Sequence, residues 1–119
     1  MKRIYAKEDV CIGCRLCEIH CTVAHSKSKD IIKAFKKEKE KAVPRVTVEE
    51  RKPVSFAVQC RHCEEPACVN ACMTGAMQKD PQSGLVLCDQ ERCIGCWMCL
   101  MVCSHGAIKA GENGKKYAV

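Results

Sequence analysis

The sequence predicts a small α+β fold organised around an internal repeat, and three observations predict it. Twelve of the thirteen cysteines fall into three runs: Cys11-x2-Cys14-x2-Cys17-x3-Cys21, Cys60-x2-Cys63-x4-Cys68-x3-Cys72 and Cys93-x2-Cys96-x2-Cys99-x3-Cys103. The stretch from Cys60 to Lys109 repeats itself, each half ending Cys-x-x-Gly-Ala-(Met/Ile), at Cys72 to Met77 and at Cys103 to Ile108. Aromatic residues make up only 4%, and the apolar 47% counts the cysteines, so little ordinary core is available in 119 residues. Domains this small lean on disulfides or metals for stability.

The elements follow in order. Arg3 to Tyr5 is expected as a short strand leading into the first run. Cys17 to His25 is expected to form one or two helical turns. Asp30 to Lys41 reads as a short helix with an acidic N-cap; Ile31, Ile32 and Phe35 share one face, charges cover the rest and Pro44 closes it. Arg45 to Glu49 alternates as a strand does, and Val54 to Gln59 is a second strand ahead of Cys60. Asp80-Pro81-Gln82-Ser83-Gly84 is a turn, with Leu85 to Leu87 as the strand beyond it. Lys115 to Val119 reads as an entering strand.

Cysteine spacing supplies the chemistry. Three thiolates spaced by two on a tight loop reach three corners of a [4Fe–4S] cube, and the fourth cysteine of the run ligates the neighbouring cluster. Cys60, Cys63 and Cys68 with Cys103 would hold one cluster, and Cys93, Cys96 and Cys99 with Cys72 another. The fold expected is therefore a ferredoxin-like two-cluster core with pseudo-twofold symmetry plus an N-terminal cluster-binding extension. It is read as one domain, residues 1–55 carrying the first run and an insertion and residues 56–119 the core. Cys11, Cys14 and Cys17 would hold a third cluster, but their run has no partner run. Its fourth ligand has four open sources: Cys21, Cys88, another subunit, or a fourth run missing from this chain. Three clusters are expected, four in the last case.

Zinc sites favour two separated Cys-x2-Cys pairs, so the triple spacing points to iron–sulfur chemistry over a zinc-binding interaction module. Cys88, outside the runs, reads as a small hydrophobe at a strand end. His20, His25, His62 and His105 read as packing or hydrogen-bonding residues near clusters. Gly13, Gly75, Gly95 and Gly106 let the backbone turn and aim N–H groups at sulfur. Trp97 would shield a cluster from water, and the Lys36 to Lys41 charge run reads as a solvated face.

Partners and compartment follow from charge and segment content. The formal net charge is +6. A [4Fe–4S] core with four thiolates carries roughly two negative charges, so three clusters would cancel it, and nucleic-acid binding is not expected. No apolar leader follows Met1, and no stretch is long and apolar enough for a membrane span. A reduced cytoplasm is the expected setting, with no direct membrane insertion. A cluster-based redox sensor would need a DNA-binding helix pair, and none is visible.

Two groups of residues carry a family resemblance. The second and third runs, the latter as Cys93-x2-Cys96-Trp97-Met98-Cys99-x3-Cys103, resemble electron-transfer subunits of the dimethyl sulfoxide reductase and formate dehydrogenase type. With Cys11-Ile12-Gly13-Cys14-Arg15-Leu16-Cys17-Glu18-Ile19-His20-Cys21, Asp30 to Phe35, Pro44-Arg45-Val46, Gln59 to Pro66 and Met73 to Met77, the chain resembles, over its whole length, the CooF-type iron–sulfur subunits that partner carbon monoxide dehydrogenase. The resemblance implies a non-catalytic carrier that takes electrons from that enzyme and passes them to a ferredoxin, a hydrogenase or a flavin-dependent NAD(P)H oxidoreductase. It also implies a fourth run binding Cys21 and closing the first cluster, and this sequence has none. A subunit of a tungsten or molybdenum aldehyde oxidoreductase, a formate dehydrogenase or a hydrogenase is the alternative.

Overall fold

A computed structural model describes residues 3–110; the strand expected at Lys115 to Val119 lies outside them. Two compact units form, one from residues 5–59 and one from residues 3–4 with residues 60–110. The fold is α+β, with two separate two-stranded sheets.

Arg3 to Tyr5, expected as a strand, is irregular. In the first unit the first ordered element is a 3-10 turn at Glu8–Val10. Helix α1, Leu16–His25, starts at Arg15 in the left-handed region (φ 59°) and runs nearly three turns, longer than expected. It stops at Ser26, whose N–H and hydroxyl both donate to the Val23 carbonyl at 3.1 and 2.6 Å.

Helix α2, Ile31–Lys36, starts where the acidic cap predicts: the Asp30 carboxylate accepts the Ile32 and Lys33 N–H groups at 2.9 and 3.2 Å. It ends well short of Lys41. Glu38 is drawn off to accept the N–H and hydroxyl of Ser28 at 2.9 and 2.8 Å, which folds the chain back. The side chain that α2 buries is the small Ala34, while Ile31, Ile32 and Phe35 stay exposed.

Strands β1, Val46–Arg51, and β2, Val54–Gln59, pair antiparallel from Val46↔Gln59 to Arg51↔Val54. Because β2 pairs with β1, residues 56–59 belong with the first unit, and the chain divides at Cys60. Val48 is the buried residue of the hairpin. Its N–H faces away from β2 and donates to Glu18 Oε1 of α1 at 2.5 Å, which satisfies an edge that would otherwise be bare.

The second unit carries α3, Ala67–Asn70; β3, Met77–Lys79; β4, Val86–Cys88; and α4, Met98–Val102. Strands β3 and β4 pair antiparallel from Met77↔Cys88 to Lys79↔Val86. Asp80 builds the turn between them: its carboxylate accepts the Gln82 and Ser83 N–H groups at 3.1 and 3.2 Å and the Ser83 hydroxyl. Gly84, at φ 71°, returns its N–H to the Asp80 carbonyl at 2.8 Å. The core is Met77, Val86 and Cys99, flanked by Cys68, Val69, Cys72, Cys88 and Ile108. Cysteines thus supply half of the eight residues packed there. No helix among the described residues is long and apolar enough to cross a membrane.

Candidate metal centre

Two runs share one loop geometry. Gly13 and Gly95 take φ 70° and 73°, and Arg15 and Trp97, two residues on, take 59° and 61°. Alternating left-handed residues wind Cys11 to Cys17 and Cys93 to Cys99 into matching tight loops that run into α1 and α4. In the second run His62 occupies the glycine position and also lies in the left-handed region, at φ 45°. Past each fourth cysteine of the repeat the pattern recurs. The N–H groups of Gly75 and Gly106, at φ 66° and 60°, return to the carbonyls of Cys72 and Cys103.

In the first unit Cys14 and Cys17 are exposed, and Cys11 and Cys21 are half-buried. The Ser55 hydroxyl donates to the Cys11 carbonyl at 2.8 Å. The Cys11 thiol is shifted down, first by the Ser55 side chain and then by the Gly13 backbone. Cys21, on α1, accepts the Arg45 N–H at its sulfur at 3.2 Å.

In the second unit the structure brings the cysteines together in two groups that cross between runs. Cys72, the last of its own run, lines one cavity with Cys93, Cys96 and Cys99 of the next run. Cys88, at the end of β4, lines the same cavity as a fifth thiol, with Met77, Trp97 and Met98 supplying apolar wall. Burial pushes the Cys99 thiol up, and pushes Cys88 up to about 11 with help from Cys93. Cys72 is held down instead, chiefly by the Met77 N–H, which donates to its sulfur at 3.4 Å.

The second group is Cys60, Cys63, Cys68 and Cys103. Burial raises Cys60 first, and the neighbouring Cys103 and Cys63 raise it further. Burial raises Cys68 first, then Cys60 and Cys103 add to it. Thiols so placed bind metal only by giving up their protons, so metal binding here is coupled to deprotonation and to folding. Among the described residues no three His, Cys, Asp or Glu side chains form a group tight enough for a single metal ion. A cubane makes a different demand, because its four thiolates bind four separate irons and need not converge on one point. Two sets of four thiols, one of them in an apolar cavity, suit that soft-ligand chemistry.

His20, His25 and His105 are exposed. His62 is half-buried, its Nδ1 lying 3.7 Å from Cys60 Sγ and accepting the Val86 N–H of β4 at 3.0 Å. The neutral ring therefore carries its proton on Nε2. Lys79, at the end of β3, donates from Nζ to the carbonyls of Cys63 and Glu64 at 2.9 and 2.8 Å. His62 is thus the hydrogen-bonding residue beside a cysteine run that its sequence suggested. The roles of Glu18 and Lys79 were not legible there, because their partners lie on other elements.

Comparison with known proteins places these features. The 4Fe–4S dicluster domain family matches residues 51–118, more than half of the chain and beginning beyond the first cysteine run. The electron transport protein HydN of Escherichia coli K12 is 40% identical over 106 residues, covering 89% of this chain and 58% of HydN. An iron–sulfur protein of Rhodospirillum rubrum is 40% identical over 112 residues, covering 88% of this chain and 54% of that protein. A sulfite dehydrogenase subunit of Allochromatium vinosum is 52% identical over 54 residues, covering 45% of this chain and 22% of its own length. The chain thus spans less than two thirds of the length of HydN and of the Rhodospirillum protein.

Proposed function

Because the chain belongs to the 4Fe–4S dicluster domain family, we propose that it is a multi-cluster wire serving a catalytic oxidoreductase. It is an iron–sulfur electron-transfer protein related to HydN and to oxidoreductase subunits. The observation that carries the proposal is Cys72 lining the cavity of Cys93, Cys96 and Cys99. A run that sends its last thiol to its neighbour's site is what a two-cluster ferredoxin-like core requires.

In this reading Cys93, Cys96, Cys99 and Cys72 hold one [4Fe–4S] cluster, and Cys60, Cys63, Cys68 and Cys103 hold a second. Cys11, Cys14 and Cys17 hold a third, with Cys21 or a group outside this chain as fourth ligand. When bound, each cluster supplies one-electron redox chemistry that no side chain here possesses. The chain's own part is to hold thiolates, exclude water with Met77, Trp97 and Met98, and donate the Met77 N–H to the Cys72 sulfur. It has no substrate site in this reading, and catalysis belongs to the partner.

Carbon monoxide dehydrogenase is the partner proposed, on the residues of the first run, Asp30 to Phe35, Pro44 to Val46, Gln59 to Pro66 and Met73 to Met77. Electrons would then pass to a ferredoxin, a hydrogenase or a flavin oxidoreductase in the cytoplasm. The match to a sulfite dehydrogenase subunit favours a second reading, a wire for a different oxidoreductase, such as a tungsten or molybdenum aldehyde oxidoreductase, a formate dehydrogenase or a hydrogenase. Anaerobic purification with any bound partner, followed by metal and sulfide analysis, separates the two. About twelve irons per chain and nickel in the partner support the first, and tungsten or molybdenum the second. The cross-ligation is tested by Cys72→Ser, which should disturb the same spectroscopic signal as Cys93→Ser and a different one from Cys60→Ser. If Cys72→Ser and Cys60→Ser disturb one signal, the assignment fails.

A further inference from the structure

Two of the differences between the halves of the repeat are joined by the structure. Between the second and third cysteines the first half has four residues, Glu64-Glu65-Pro66-Ala67, where the second has only Trp97-Met98. Four residues after the Gly of Cys-x-x-Gly-Ala, the first half has Lys79 and the second has Ala110. The Lys79 ammonium donates to the carbonyls of Cys63 and Glu64 at 2.9 and 2.8 Å, on the longer loop itself. One half of the repeat therefore carries a cation pinned to the backbone of its cysteine loop, and at the matching place the other carries a methyl group.

Resting on the ligation proposed above, we infer that Lys79 is a positioning residue that also sets the potential of the Cys60/Cys63/Cys68/Cys103 centre above that of its twin. Adding an electron makes a thiolate-ligated cluster more negative, and a nearby fixed cation favours that state. The loop also carries acidic residues, and their effect opposes this. The Glu64 side chain is 88% exposed, however, and lies 3.8 Å from the Arg3 guanidinium, so water and a counter-charge screen it. Glu65 is exposed as well. The Lys79 side chain is half-buried and held by two hydrogen bonds, so its charge stays in place. The two centres of this unit are then unequal, and an electron entering the unit comes to rest on the Cys60 side.

The test is a redox titration followed by electron paramagnetic resonance, on wild type, Lys79→Met and Lys79→Arg, each with iron and sulfide measured. Lys79→Met is expected to favour the oxidised form of one centre about tenfold, which lowers its midpoint by about 59 mV for a one-electron couple. The other midpoints stay in place, and Lys79→Arg restores the wild-type value. Full iron content with no midpoint moved, or with all midpoints moved together, overturns the inference. If Lys79→Met sheds iron, Lys79→Gln replaces it: Gln keeps an N–H for the loop carbonyls without the charge and must show the lowered midpoint. Wild-type protein too poor in iron to fill the Cys60 run overturns the ligation reading itself, and that result is read from the metal analysis before any titration.

Discussion

His62→Ala removes the acceptor of a buried backbone N–H, and the structure fixes what that costs. Val86 is 7% exposed, and its N–H points away from the β3–β4 ladder to His62 Nδ1 at 3.0 Å. An unpaired buried N–H costs about 1–3 kcal/mol. The alanine leaves room for water beside the strand, which places the loss toward the lower end of that range. The backbone adds a second, separable term. His62 sits at φ 45°, where a side chain with a Cβ costs roughly 1 kcal/mol that glycine does not. Alanine keeps that strain and glycine releases it, so His62→Gly should lose about 1 kcal/mol less than His62→Ala. The assay is anaerobic hydrogen exchange at the Val86 amide. A loss of about 1–3 kcal/mol speeds exchange from the opened state roughly fivefold to 150-fold. Unchanged Val86 exchange in His62→Ala would refute the hydrogen-bond argument, and a less stable His62→Gly than His62→Ala would refute the backbone one.

Glu18→Ala should cost about 1–3 kcal/mol, because the Val48 N–H loses its acceptor on the buried side of β1, and Glu18→Gln should recover most of it; thermal midpoints of the three proteins check this. Acid should loosen the Asp80 turn. The carboxyl is held below its usual range, first by the Ser83 hydroxyl and then by the Gln82 and Ser83 N–H groups. A depressed folded-state value means the stabilisation is complete above the ordinary carboxylate pKa of about 3.9. It is lost progressively as pH falls from there through the lower folded value, so Ser83 amide exchange, corrected for its intrinsic pH dependence, should begin to accelerate below a pH of about 3.9 and level off once the folded value is passed. Stripping iron with a chelator should unfold the second unit, whose core is Met77, Val86 and Cys99 among cysteines. Circular dichroism and exchange at β3 and β4 report it, and native-like protection in the stripped protein would contradict it.

What the sequence determined by itself is whatever depends on near neighbours along the chain. Cysteines two or three residues apart must share a loop, so the runs and their repeat were legible at once. The Asp30 cap and the Asp80 turn are equally local, since each is closed by groups within a few residues. The tight loops followed from glycine at Gly13 and Gly95, where the left-handed region is free of Cβ strain.

Only the tertiary structure decided what meets across elements. The apolar face of Ile31, Ile32 and Phe35 was legible as a pattern, but a pattern does not say whether a neighbour covers it, and α2 buries Ala34 in its place. That helix is also shorter than its composition suggests, because Ser28, ten residues back, competes for Glu38. The acceptor for Val48 lies thirty residues away at Glu18, and that for Val86 twenty-four residues away at His62. Lys79 finds its loop carbonyls fifteen and sixteen residues back. Cys88 read as a strand-end hydrophobe, and it is at a strand end, yet the packing of β4 against the third run turns it into the cavity wall beside four other thiols. A hydrogen bond needs its partner within about 3 Å. Spacing along a chain guarantees that distance over one turn of backbone, and beyond it only the packing of one element on another can.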